Sequence, residues 1–392
     1  MQNFQIQIPT NLIFGKNTQH QIGELIKPLA TKVLLHYGGG TVKKIGLYDD
    51  AKKSLAAAGI PFVELGGVQP NPRLSLVYEG IALCKKENVD FVLAIGGGST
   101  LDSAKAIAVG MCYDGDVWDF FDGKAQIKRA LPVGIILTIP AAGSEMSPHS
   151  VISNEKLGRK CGMGSDLIRP AVSIVNPEYF THLPLSQLGN GVSDIISHIF
   201  ERYFTNTKNC DVTDGLCESV LKTVMKNALI AVKDPKNYDA WAEIGFCGIV
   251  AHNNWLGVGR EQDWACHGME HELSAYNDVA HGAGLAVVTP AWLKFVYSEN
   301  ENMFVQFAVN VMGVEKSFRE PKEIILEGIT RLEEFYKKLG LAQTLSELKI
   351  GEDAFEEMAK KCTGAFFGNE IGRGNFKKLM WQDVVKIFEL CK

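Results

Sequence analysis

Histidine and aspartate side chains stand in this chain at spacings that put them on one helical face. His267 and His271 lie four apart in His267-Gly268-Met269-Glu270-His271, Asp194 and His198 lie four apart in Gly191-Val192-Ser193-Asp194-Ile195-Ile196-Ser197-His198, and His281 follows in Ala280-His281-Gly282-Ala283-Gly284. Side chains four apart on a helix project the same way. Imidazoles with a carboxylate and no thiolate suit a divalent ion such as Fe(II) or Zn(II), with Mn(II) as a further choice. The His-x-x-x-His spacing is also that of zinc hydrolases, but their chemistry needs Glu directly after the first His, and Gly268 stands there. Either pair taken alone is equally the spacing of an ordinary hydrogen bond. Histidines 20, 36, 149, 182 and 252 are read as structural.

A second group of residues suits phosphate. After the apolar run DFVLAI come Gly96-Gly97-Gly98-Ser99-Thr100-Leu101-Asp102, leading into a helical stretch at 103–109. Glycines let the backbone approach a ligand, and the first amides of a helix favour anions. The third glycine of G-x-G-x-x-G is absent, so the loop by itself is equally a tight strand-to-helix turn. An earlier run ends in Gly38-Gly39-Gly40-Thr41. An acid here would hold the ribose hydroxyl of NAD. The loop carries none, and Lys43 and Lys44 follow, which favours NADP; the same two lysines would also serve as a solvated helix face. A third loop, Thr138-Ile139-Pro140-Ala141-Ala142-Gly143-Ser144-Glu145-Met146-Ser147, offers small and hydroxyl side chains after the run VGIILTI.

Elements must position these groups. In the first 140 residues short β-branched runs (32–36, 60–65, 90–95) alternate with helical stretches, the rhythm of βαβ units and a parallel, Rossmann-like sheet. Further strands are expected at 133–139 and 171–175. Long 3.6-periodic segments such as 188–204, 211–232 and 322–339 then predict an all-α second half. The expected division is an α/β dinucleotide-binding domain over 1–184 and a helical metal-binding and substrate domain over 185–392.

Composition narrows the class. The 392 residues carry a net charge of −5, with 46% hydrophobic and 22% charged residues, which excludes disorder and argues against a nucleic-acid partner. The N-terminus lacks the pattern of a signal peptide, and no apolar run approaches the roughly 18 residues that span a bilayer, so no membrane association and a cytoplasmic location are expected. The nine scattered cysteines form no C-x-x-C pair and read as reduced thiols.

The segments GGGSTLDSAKAIA (96–108), TIPAAGSEMS (138–147), GVSDIISHIFE (191–201) and ACHGMEHELSAYNDVAHGAGLAV (265–287), in this layout, resemble the iron-dependent (group III) alcohol dehydrogenase family. YGGGTVKK (37–44) is most similar to its branch of NADPH-using butanol dehydrogenases and aldehyde reductases. The resemblance covers essentially the whole chain. It implies that Asp194, His198, His267 and His281 ligate one divalent metal, Fe(II) or Zn(II), and that His271 is the catalytic candidate for proton transfer. Gly97, Gly98, Ser99, Asp102, Thr138, Ser147 and Lys160 are the NADP contacts it implies, and the glycine loop with its following lysine adds Gly38, Gly39 and Lys43. Two positions depart from the family pattern: Ala142 stands where a threonine is usual, and Ser186 where arginine is common.

The implied reaction is reversible hydride transfer between NADP(H) and small primary alcohols or aldehydes such as butanol and butanal. Phe180, Phe246, Trp255 and Trp264 are apolar candidates for limiting substrate size. The alternatives are a metal-dependent polyol dehydrogenase, a dehydroquinate-synthase-like enzyme, or a non-catalytic nucleotide-binding protein with a structural metal. A homodimer is expected, with an edge strand at 4–8 available for pairing.

Overall fold

Every residue except Phe318 is described in the computed structural model. The chain forms two compact units. One comprises Gln7–Leu183 with Lys236–Ile249, and the other comprises Met1–Ile6, Pro184–Pro235 and Val250–Lys392.

In the first unit the strands are β1 (Asn11–Phe14), β2 (Val33–Tyr37), β3 (Phe62–Leu65), β4 (Phe91–Gly96), β5 (Val133–Leu137), β6 (His149–Asn154), β7 (Arg159–Gly164) and β8 (Val172–Val175). Six of them make a sheet in the order β1-β8-β5-β4-β2-β3, parallel throughout, while β6 and β7 pair antiparallel as a hairpin. β2, β4, β5 and β8 are buried along their whole length. That is why they read as unbroken apolar runs: a parallel strand covered on both faces has no polar side to alternate with. Leu35, Leu93, Ile95, Ile136 and Ile174 share one core cluster. β3 lies on one side of β2 and β4 on the other, so strand order reverses between β2 and β4. Ligands of open α/β sheets sit beyond the strand carboxyl ends at such a reversal, and here those ends carry Gly38-Gly39-Gly40 and Gly96-Gly97-Gly98.

The second unit is helical. Its Leu185–Tyr203 helix is buried over nearly all its length from Leu188 onward, including the polar Asp194, His198, Glu201 and Arg202. Phe200 and Phe204 pack on Phe307, and Phe204 also meets Trp292 and Phe304. The segment at 4–8 is not a strand. The Met1 ammonium donates to the Lys208 carbonyl and the Gln2 N–H to the Gly259 carbonyl, both at 2.7 Å, which ties these first residues to the helical unit. The strand at the sheet edge is β1, paired with β8. The Tyr238–His252 helix starts in the α/β unit, where Trp241 packs on the buried Phe180. No helix of the described residues is long and apolar enough to cross a membrane.

Candidate functional site

Three helices of the second unit bring four polar side chains together. Asp194 and His198 project from the Leu185–Tyr203 helix, His267 from the Ala265–Asn277 helix, and His281 opens the His281–Val296 helix. Around Asp194 Oδ1 lie His198 Nδ1 at 3.3 Å, His267 Nε2 at 3.7 Å and His281 Nε2 at 3.7 Å. Asp194 Oδ1, His198 Nδ1 and His267 Nε2 are buried and have no hydrogen-bond partner among the described residues. A buried polar atom left unpaired costs about 1–3 kcal/mol, so several aimed at one point call for a shared positive partner. Ligand atoms of Asp194, His267 and His281 lie within 4.8 Å of one another, close enough to hold one metal ion. Nitrogen donors with one carboxylate oxygen fit Fe(II) or Zn(II).

Charge and packing around this cluster come from Glu201, Glu270, Arg202 and His252, which histidine spacing alone does not single out. His267 Nδ1 and its backbone N–H both donate to Glu201 Oε1, at 2.8 and 2.9 Å. His281 Nδ1 contacts Glu270 Oε2. Burial by itself would lower the pKa of His267, but the nearby Asp194 and Glu201 carboxylates outweigh it and raise the value to about 9. Burial would raise Asp194, yet the three imidazoles hold its carboxyl well below the usual range. His198 is driven well below its ordinary value, chiefly by burial. The Arg202 guanidinium, also buried, donates to the His198 carbonyl at 2.6 Å and lies 3.1 Å from His252 Nδ1, and the His252 ring sits 4.1 Å from that of His198.

Trp264 closes the cluster edge-on against His198, His252 and His267, with Arg202 4.8 Å from its ring centre. Its φ of 67° is a conformation a bulky side chain rarely adopts, the kind of strain that surrounding structure must impose. Of the apolar candidates, Trp264 therefore meets the imidazoles. Phe180 is buried on Trp241, while Phe246 and Trp255 are about half exposed, Phe246 edge-on to Phe14. His271 is partly buried, its ring centre 5.9 Å from that of His281.

The α/β unit presents the glycine loops. Gly97, Gly98 and Ser99 form the junction of β4 with the Gly98–Gly110 helix, whose first amides lie at the strand end. A Cβ on Gly97 would meet Ile139 at 2.9 Å and one on Gly98 would meet Ala142 at 3.0 Å, so the 138–147 loop lies directly against this turn. The Thr138 N–H donates to the Gly96 carbonyl at 2.9 Å. The Asp102 carboxylate faces the protein, accepting from Ser144 Oγ at 2.6 Å and the Val151 N–H at 2.9 Å. Ser147 Oγ accepts from the His149 N–H at 3.2 Å, and Lys160, on β7, is buried. Gly38 accepts the Gly67 N–H at 3.1 Å, and around Gly39 there is open space. Lys43 is exposed, its ammonium 5.0 Å from the Tyr37 ring centre and 4.8 Å from that of Tyr48. Lys105, a lysine whose place inside a helix gives no sign of its role, is fully buried and donates to the Ser144, Ser147 and His149 carbonyls and to Ser144 Oγ at 2.7–3.0 Å.

A family model described as iron-containing alcohol dehydrogenase matches residues 9–177, and one described as the Fe-containing alcohol dehydrogenase family, C-terminal, matches 190–391. The chain belongs to the iron-containing alcohol dehydrogenase family. It is 41% identical over 390 residues to the NADH-dependent butanol dehydrogenase A of Clostridium acetobutylicum, covering 99% of each chain. It is 34% identical over 364 residues to the NADPH-dependent aldehyde reductase YqhD of Escherichia coli, covering 92% of this chain and 93% of that one. Among solved structures, the NADH-dependent butanol dehydrogenase A of Thermotoga maritima superimposes with a TM-score of 0.96 at 41% identity, over 100% of this chain and 99% of the other. As a member of the iron-containing alcohol dehydrogenase family the protein is an oxidoreductase of the alcohol dehydrogenase type.

Proposed function

We propose that this protein reversibly transfers hydride between NADP(H) and small primary alcohols or aldehydes of the butanol and butanal class, at a site where Asp194, His198, His267 and His281 hold one divalent metal. The observation that carries the reading is the convergence, from two helices, of three buried and unpaired polar atoms, Asp194 Oδ1, His198 Nδ1 and His267 Nε2, with His281 Nε2 joining from a third. Fe(II) or Zn(II) bound there would supply Lewis-acid polarisation of the substrate oxygen, an effect worth several kcal/mol in the transition state. The residues do the rest. Asp194 fixes the charge at the centre, Glu201 orients His267 through Nδ1, and Trp264 keeps water off the ligand imidazoles. His271, partly open to solvent next to His281, carries the proton to or from bulk water.

In the α/β unit, Gly97, Gly98 and Ser99 offer amides and a hydroxyl to the cofactor diphosphate, and Thr138, Ser147 and Lys160 serve its nicotinamide half. Asp102 acts through Ser144, which it holds in place. The NADP(H) preference rests on the end of β2: Gly38-Gly39-Gly40 carries no acid for a ribose hydroxyl, and the Lys43 ammonium stands beside Tyr37 and Tyr48. Relatives divide on this point, the Clostridium protein being named NADH-dependent and the E. coli protein NADPH-dependent. A homodimer is proposed as the working assembly, to be read by light scattering.

The test is metal analysis of anaerobically purified protein together with butanal reduction by NADPH and by NADH. Stoichiometric metal, faster NADPH turnover, and loss of both metal and turnover in a folded His267→Ala variant are expected. Full activity without bound metal defeats the metal reading, and a higher kcat/KM with NADH defeats the cofactor preference.

A further inference from the structure

We propose that Glu270 is a positioning residue that latches His281 in its ion-facing pose and thereby sets how slowly the site releases its metal. The inference rests on the metal reading above and concerns a side chain that the ligand motif does not use.

Glu270 has no solvent exposure, and both of its oxygens are engaged. Oε2 contacts His281 Nδ1, and Oε1 receives the Ser274 hydroxyl. Ser274 Oγ also lies 3.0 Å from the Val279 carbonyl, on the link between the Ala265–Asn277 and His281–Val296 helices. Gly284, one turn beyond His281, makes the room: a Cβ there would come within 2.9 Å of Glu270 Cγ. The carboxylate is thus confined by its own helix, by the interhelical link and by the helix that His281 begins. An imidazole whose Nδ1–H donates to a carboxylate presents its Nε2 lone pair on the opposite edge of the ring, and that edge faces Asp194 Oδ1 at 3.7 Å.

His267 and Glu201 make the same pairing, with Nε2 again 3.7 Å from Asp194 Oδ1. The two imidazoles differ in access. The His267 side chain is 7% exposed and its backbone N–H is also held by Glu201, whereas the His281 side chain is 26% exposed and stands at the first position of its helix. His281 is therefore the ligand through which an ion can leave, and Glu270 the group that resists its turning. Charge points the same way. Asp194, Glu201 and Glu270 are three buried carboxylates, and a divalent ion, for which the ligand imidazoles give up their protons, would balance them together with the Arg202 guanidinium.

The experiment loads the protein with Zn(II), adds excess 4-(2-pyridylazo)resorcinol, and follows zinc release by colour for wild type, Glu270→Gln, Glu270→Ala and Ser274→Ala. The melting temperature of each metal-free protein is measured alongside. Release is expected to quicken roughly 10- to 100-fold in Glu270→Gln, at least as much in Glu270→Ala, and less in Ser274→Ala, the usual size of an effect on a group that orients a metal ligand. Wild-type release rates in the Glu270 variants overturn the proposal, as does a lowered melting temperature with unchanged release. If neither Glu270 variant folds, Ser274→Ala decides on the same criterion. Wild-type protein that takes up no stoichiometric zinc would instead remove the metal reading itself.

Discussion

Gly282 crosses Asn190 so closely that a Cβ on it would lie 1.9 Å from the Asn190 carbonyl oxygen. Asn190 stands one turn before Asp194, and Gly282 directly follows His281, so this single crossing brings candidate ligands of two helices to one point. Backbone cannot swing aside as a side chain can. Gly282→Ala is therefore expected to push the helices apart, destabilising the protein by about 1–3 kcal/mol, the usual cost of overpacking. Bound metal should fall below one per chain in the same variant. An unchanged melting temperature with full metal content would show that the crossing does not position the site.

The coenzyme preference turns on a position with room to spare. A Cβ on Gly39 meets nothing within 4 Å, and its φ is not in the left-handed region, so a carboxylate can be placed there without strain. Gly39→Asp should repel a 2′-phosphate and pair with a ribose hydroxyl, moving the ratio of kcat/KM for NADH over NADPH upward by roughly tenfold or more, about 1.4 kcal/mol of discrimination. Lys43→Ala should raise KM for NADPH and leave that for NADH nearly alone. Steady-state rates with butanal check both, and an unmoved ratio would place the 2′-position elsewhere.

Much of this architecture is legible in the residues themselves, for physical reasons. β2, β4, β5 and β8 are apolar without interruption because both faces are covered, and the expected runs at 32–36, 90–95, 133–139 and 171–175 fall on them. The long periodic segments became the Leu185–Tyr203, Asp211–Lys233 and Pro321–Lys338 helices because each keeps a buried stripe. β1 leaves no strand signal because it is a short, half-exposed edge, and β6 and β7 leave none because HSVISN and RKCGMG mix polar and small residues. The docking of Met1–Ile6 on the helical unit and of Lys236–Ile249 on the α/β unit is tertiary and leaves no periodic trace. Glu201 and Glu270 look like ordinary surface charges, yet a signal exists: Glu201 is seven residues after Asp194 and Glu270 three after His267, so each shares a helical face with a candidate ligand.

Lys105 gives a prediction about the loop that lies against the glycine turn. Its ammonium is fully buried, and burial lowers its pKa to about 8, against the pull of the Asp102 and Glu145 carboxylates. Removing it would leave the Ser144, Ser147 and His149 carbonyls without their shared donor. Lys105→Met is expected to cost about 3–5 kcal/mol, because interior acceptors would go unpaired while little is gained in packing. The loop should also loosen, seen as faster hydrogen exchange over 144–149 and a higher KM for NADPH. Normal stability in this variant would mean that water replaces the ammonium without loss.

His36 links acidity to the same glycine turn. It is fully buried on β2, its Nδ1–H donating to the Leu65 carbonyl at 2.8 Å and its Nε2 accepting from Ser103 Oγ at 2.9 Å, which fixes the Gly98–Gly110 helix against β2. That geometry needs the neutral ring. Burial lowers the pKa from 6.5 to about 4, with the Leu65 bond pulling the other way. The unfolded chain therefore binds a proton below pH 6.5 that the folded ring refuses until about pH 4. The stability due to the neutral ring is whole above pH 6.5, falls as the pH drops from 6.5 towards 4, and by then has declined by about 3 kcal/mol. His36→Gln has no such titration. Urea unfolding at a series of pH values should show the wild-type advantage over this variant shrinking by about that amount between pH 7 and 4. NADPH affinity should weaken over the same window in wild type, because the helix carrying Gly98 and Ser99 is what the ring anchors. A constant difference between the two proteins across that range would show that the imidazole takes up its proton without disturbing the sheet.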